Sequence, residues 1–162
     1  MSKGGLKLIM VILHEKGLSG LVKRILDMVF LGGLGILITL PYVLKWYMNV
    51  LYLTTSENYN FLLGFLYITG IVCLGLVNEI RKIFKTLNRR NPFMMDNVKS
   101  LNRVGWACFI IAAAYIIKIF FYNSVMTAII TMVFIIAGLF SVVLAEVFRQ
   151  AIEVKEENDL TI

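Results

Sequence analysis

The sequence predicts an all-α fold, a four-span transmembrane helix bundle with cytoplasmic helical extensions. Three observations carry that reading. Hydrophobic residues make up 59% of the 162 positions and charged residues 16%, with a mean hydropathy of +0.83. Soluble domains hold about 45–50% apolar and about 25% charged residues, and a water-soluble fold of this length cannot hide so much apolar surface. The apolar residues also fall into four long runs, and lysine and arginine concentrate in two of the segments that flank them.

Residues 1–24 read as an amphipathic interfacial segment. "LKLIMVIL" is apolar for eight positions but contains Lys7, and His14, Glu15 and Lys16 follow. A cleaved secretory signal needs an uninterrupted core and a small-residue cleavage site, so the segment is expected to stay and lie on the membrane. His14 is the only histidine, beside two charges, which places it on a polar face rather than in a ligand set.

The first span covers about 25–45. Met28 to Leu44 carries no charge, near the lower limit for crossing a bilayer. Trp46, Tyr47 and Tyr52 form an interfacial aromatic belt, and Pro41 is expected to bend the helix near its outer end. The second span covers about 60–78, inside an uncharged run from 58 to 78. Beyond it, Ile80, Ile83, Phe84 and Leu87 recur at helical spacing, which predicts an amphipathic continuation outside the membrane.

Residues 79–103 read as a cytoplasmic hairpin. Asn91-Pro92 ends the incoming helix, because the residue before proline avoids the α region. Asp96 is expected to cap a new helix starting at Asn97. That helix enters the third span, about 104–121, with Lys118 reaching for water at its far end. A "YNS" turn leads to the fourth span, about 125–147. Residues 148–162 form a polar, acidic tail, expected to continue the helix a few turns and then to extend.

Charge sets the orientation. Residues 1–27 carry five Lys and Arg and residues 79–103 carry seven, while segments 45–60 and 118–124 carry one each. The positive-inside rule then places both termini in the cytoplasm. The net charge of +6 is read the same way, as topology and contact with anionic lipid, not as direct nucleic-acid binding.

Little in the chain points to catalysis. No acid or histidine sits at mid-membrane, where a proton-coupled transporter places one. Asp27, Glu79 and Glu146 fall at the inner border; the sharper reading gathers them with basic partners into one switchable cluster. No activated serine or cysteine, phosphate-cradling loop or metal-ligand cluster is visible. Cys73 and Cys108 lie in apolar runs and read as two buried thiols. The expectation is a protein that is not an enzyme and needs no cofactor or metal.

Assembly is better marked. Ala137, Ser141 and Ala145 repeat every four residues in the fourth span, beside Gly138. Cys108 and Ala112 do so in the third, and Gly32, Gly33 and Gly35 cluster in the first. Small residues let helix backbones approach, either within one bundle or across a homodimer. The cytoplasmic face offers a partner surface: Phe84, Asn91, Pro92, Phe93 and Met94 at the hairpin, and Asn158, Asp159 and Leu160 in the tail. A Phe and a Met pair at a turn suit adaptable binding, though basic hairpin and acidic tail can also pair with each other.

"NPFMMDNVKSLNRVG", two apolar spans and then "LAEVFRQAIEVKEENDLTI" together resemble the YoaS-like family of bacterial integral membrane proteins, a family of unknown function. The pattern falls on Asn91, Pro92, Phe93, Asn97, Leu101, Gly105, Phe148, Arg149 and Glu157 to Ile162, and the likeness covers about residues 20 to 162. Ala151 stands where family members often carry glycine, which implies a straighter helix. The resemblance implies a bacterial plasma-membrane protein that restrains or releases a small helix-turn-helix regulator. The competing expectation is a small transporter, channel or immunity-type protein, with Asn49, Thr69, Thr127, Thr131 and Ser141 lining a polar path.

Overall fold

The computed structural model describes residues 18–50, 59–88, 94–122 and 124–160. Four helices account for nearly all of them: α1 (Leu18–Val50), α2 (Tyr59–Asn88), α3 (Met95–Phe121) and α4 (Val125–Leu160). There is no strand among the described residues, and all four helices are long and apolar enough to cross a membrane. The all-α, four-span expectation therefore holds.

The helices outrun the bilayer. The 36 residues of α4 extend about 54 Å at about 1.5 Å per residue, against a hydrocarbon core of about 30 Å. The surplus of α4 is helical through Leu160, so the acidic segment continues the helix for about three and a half turns past residue 147, and residues 161–162 lie outside the described residues. It passes straight through Ala151, where no glycine interrupts it. Pro41 likewise sits inside an unbroken α1.

The start of α3 differs from the expected cap. Met94 is extended, with φ −128° and ψ 140°, and the helix begins at Met95 without a side-chain cap. The Asn97 N–H donates to the Met94 carbonyl at 2.9 Å. Asp96 lies within the first turn, where its charge favours the positive helix end without bonding an N–H.

Packing follows chain order: α1 rests on α2, α2 on α3, and α3 on α4, with the last interface the most extensive. Two interfaces use the same reciprocal device. A Cβ on Gly33 would stand 2.8 Å from Leu74 Cδ2, and one on Gly70 would stand 2.6 Å from Leu37 Cδ2, so each helix of the α1–α2 pair seats a leucine over its neighbour's glycine. Between α3 and α4, a Cβ on Gly105 would lie 2.8 Å from Val142 Cγ2, and one on Gly138 would lie 2.8 Å from Phe109 Cε1. Lipid tails are as apolar as leucine, so such close backbone contact replaces the hydrophobic drive that water supplies.

Outward faces are apolar. Phe120, Val125 and Phe140 are exposed among many other large hydrophobic residues. In water that surface is an aggregation hazard; in a bilayer it meets acyl chains. At the end where α2 begins, aromatic rings tie α2 to α3. Phe61 reaches Phe121 and Tyr122 at centroid distances of 5.9 and 5.3 Å, and Phe65 meets Tyr115 edge-on at 4.9 Å. Lys118 lies over the Phe65 ring at 5.6 Å.

Candidate functional site

The opposite end of the molecule is built differently. There the C-terminal turns of α2 and α4 and the first turns of α3 run beyond the uncharged spans. Val98 and Leu101 of α3 bury against Ala145 and Ile152 of α4, and Ile83, Leu144 and Phe148 pack on them. This apolar cluster is a small core of its own at and beyond the membrane border. Phe148 and Ile152 lie in the polar C-terminal segment, one turn apart, which is what turns that segment into a docked helix.

A polar contact locks the same end. The Thr86 hydroxyl lies 2.6 Å from Asn97 Oδ1 and 2.7 Å from the Ile83 carbonyl, and its single proton serves one acceptor at a time. Asn97 is 1% exposed. Its stripe continues through Leu101, Val104, Cys108 and Ile111, all buried. An asparagine on an otherwise apolar stripe is the signal that marks this contact in the sequence; its partner Thr86 carries no such mark.

The border carboxylates take separate partners. Asp27 accepts from Arg81 Nε at 2.6 Å, which joins α1 to α2. Glu79 meets Lys82 Nζ at 2.6 Å and Arg103 at 3.6 Å, which joins α2 to α3. Glu146 and Glu153 pair with Arg149 inside α4, at 2.6 and 3.3 Å. The single cluster of Asp27, Glu79 and Glu146 does not form, because each carboxylate pairs with its own basic residue.

The partner-face residues fall as follows. Phe84 is half-buried in α2, Met94 is half-buried at the head of α3, and Asn158 is exposed near the end of α4. Antiparallel packing of α3 on α4 carries Met94, four residues before Val98, and Asn158, six after Ile152, toward the same tip. Asp159 and Leu160 belong to α4, but their side chains, like Asn91, Pro92 and Phe93 altogether, lie outside the described residues.

The small residues divide. Cys108, Ala112 and Ala145 are buried, Ser141 Cβ lies 3.7 Å from where a Gly105 Cβ would stand, and Ala137 is half-buried. Gly32 and Gly35 face open space: a Cβ on either meets nothing within 4 Å. Of the three clustered glycines, Gly33 makes the close approach in α1. Of the residues expected to line a polar path, Thr69, Thr127 and Thr131 are buried. Thr131 donates back to the Thr127 carbonyl at 2.8 Å, and Asn49 is exposed at the end of α1.

An apolar cavity of about 310 Å³ opens among the four helices. Gly33, Leu37, Thr69, Cys73, Tyr115 and Phe134 are among its walls. Cys73 is thus exposed to this groove while Cys108 is buried, which corrects the expectation of two buried thiols. No charged side chain lines it.

Residues 43–162, from the last turns of α1 through all of α2, α3 and α4, match one family. The chain belongs to the DUF2975 family, described as a protein of unknown function. The matched stretch of this DUF2975 member holds Thr86, Asn97 and the whole Val98–Ile152 cluster, while Asp27 precedes it. No curated protein and no solved structure matches the chain. Four spanning helices in a DUF2975 chain make it a multi-pass membrane protein.

Proposed function

We propose that this protein is a non-enzymatic membrane regulator whose extramembrane end holds a soluble cytoplasmic partner. The observation that carries the reading is the Val98, Leu101, Ala145 and Ile152 cluster. Three helices continue past the membrane border and share a buried core there. A topology device needs only exposed lysines and arginines; a folded platform offers a fixed surface for another protein.

On this reading the end faces the cytoplasm of a bacterial plasma membrane, as the lysine and arginine asymmetry favours. The partner has the character of a small helix-turn-helix transcription factor, which the YoaS-like resemblance favours. The contact residues are Phe84, Asn91, Pro92, Phe93 and Met94, with Asn158, Asp159 and Leu160 completing the face. A signal acts by binding two arrangements of the helices unequally, since a ligand shifts an equilibrium only by its differential affinity.

The apolar groove favours a second reading, a carrier for an apolar molecule, over an ion pathway. Thr69→Val leaves transport of such a molecule unchanged if it moves by another route.

Photocrosslinking from Met94 in native membranes, with mass spectrometry of the captured species, tests the proposal. One soluble DNA-binding protein, lost on Phe93→Asp, is the expected result. Capture of lipids or integral membrane proteins alone overturns it.

A further inference from the structure

A second cavity, of about 190 Å³, lies between α1 and α2 at the membrane border, lined by Lys23, Asp27, Asn78, Arg81, Lys82 and Lys85. We propose that it binds the phosphate of an anionic phospholipid headgroup. This inference is independent of the regulator reading.

The wall of this cavity holds four cations against one carboxylate. Two of the cations are fixed. Arg81 is held by Asp27 through Nε and Nη2 at 2.6 and 2.5 Å, and its guanidinium lies over the Phe30 ring at 4.6 Å. Lys82 is tied to Glu79 at 2.6 Å. A guanidinium carries five N–H donors in a planar fork, so the Asp27 contact leaves donors on the other side of Arg81 for a second anion. Lys23 and Lys85 form no ion pair among the described residues. Like charges gathered in one cavity repel, and a bound anion is what relieves them.

Depth selects the anion. Asn78 is the last uncharged position of the α2 span, and Asp27 stands just before the uncharged run of α1. The cavity therefore sits at the level of lipid phosphates. Basic pockets between helix ends at this level bind anionic headgroups, and each lysine near the surface adds about 1 kcal/mol, or about fivefold in affinity. The Asn78 amide supplies a neutral donor that a diffuse ion atmosphere does not need and a seated phosphate does.

The test uses the full chain in neutral detergent. Binding of phosphatidylglycerol and phosphatidylcholine is compared by native mass spectrometry and by thermal stabilisation. Phosphatidylglycerol is expected to bind more tightly. The double variant K23A/K85A is expected to lose most of that preference, roughly 25-fold from about fivefold per lysine. K99A/K155A removes the same charge elsewhere and is expected to keep the preference, as is K23R/K85R. If K23A/K85A does not fold, K23Q and K85Q singly are each expected to lose about fivefold. No preference in the unaltered chain overturns the proposal, as does an equal loss in K99A/K155A. Inorganic phosphate that stabilises as strongly as the lipid at equal concentration replaces the headgroup by a soluble ligand and overturns it too.

Discussion

Thr86 and Asn97, eleven positions apart on α2 and α3, meet at 2.6 Å between hydroxyl and side-chain amide oxygen, with Asn97 almost wholly buried. The contact spans the ends of two helices that are consecutive in the chain. It sets their register at the point where the chain leaves the membrane, beneath the proposed partner face. Burying an unpaired amide costs about 1–3 kcal/mol, which is why the pair specifies as well as stabilises.

Thr86→Val removes the hydroxyl and keeps the shape. The expected loss is about 1–2 kcal/mol, read as a fall in the thermal midpoint in detergent, with Thr86→Ser close to the unaltered protein. In a double-mutant cycle with Asn97→Ala the two losses are expected not to add, with a coupling of at least about 0.5 kcal/mol. Strict additivity would separate the two residues.

Ile152 and Val154 test whether the C-terminal segment is docked. Ile152 is 5% exposed and packs on Val98 and Leu101, whereas Val154 is 57% exposed. Ile152→Ala is expected to cost about 2–4 kcal/mol, and Val154→Ala within about 0.5 kcal/mol of nothing. Limited proteolysis supplies a second readout: cleavage between residues 146 and 160 should accelerate in Ile152→Ala alone. Equal behaviour of the two variants sinks the three-helix platform.

Glycines of one helix type separate by what faces them. Gly105→Leu drives a side chain into Val142 Cγ2 and toward the Gly138 carbonyl, which stands 3.3 Å from the first added carbon. Backbone cannot rotate away, so a loss of more than about 2 kcal/mol or misassembly of α3 on α4 is expected. Gly32→Leu enters open space and should leave thermal stability within about 0.5 kcal/mol. If Gly32→Leu instead disrupts assembly, a second copy of the chain covers that face.

The number of spans and the helical class could be read from residues alone, because crossing a bilayer is a one-dimensional requirement. An uncharged run such as 58–78 either reaches across the hydrocarbon or it does not. The stripe Asn97, Leu101, Val104, Cys108 was equally open to reading, since helical periodicity is local. The cap was not: Asp96 has the right chemistry two residues too late, and only the extended Met94 shows where α3 begins.

Sequence by itself determined that this chain is a four-helix membrane protein with a charged, helical region on one side. Tertiary structure alone decided which small residues are contacts, because Gly32, Gly33 and Gly35 are chemically identical and differ only in facing Leu74 or open space. It also decided the partners of the border charges. Asp27 and Arg81 lie 54 positions apart, and no local rule links them. An ion pair across two helices depends on their rotation and register, which are fixed by the leucines of α1 and α2 seating over each other's glycines.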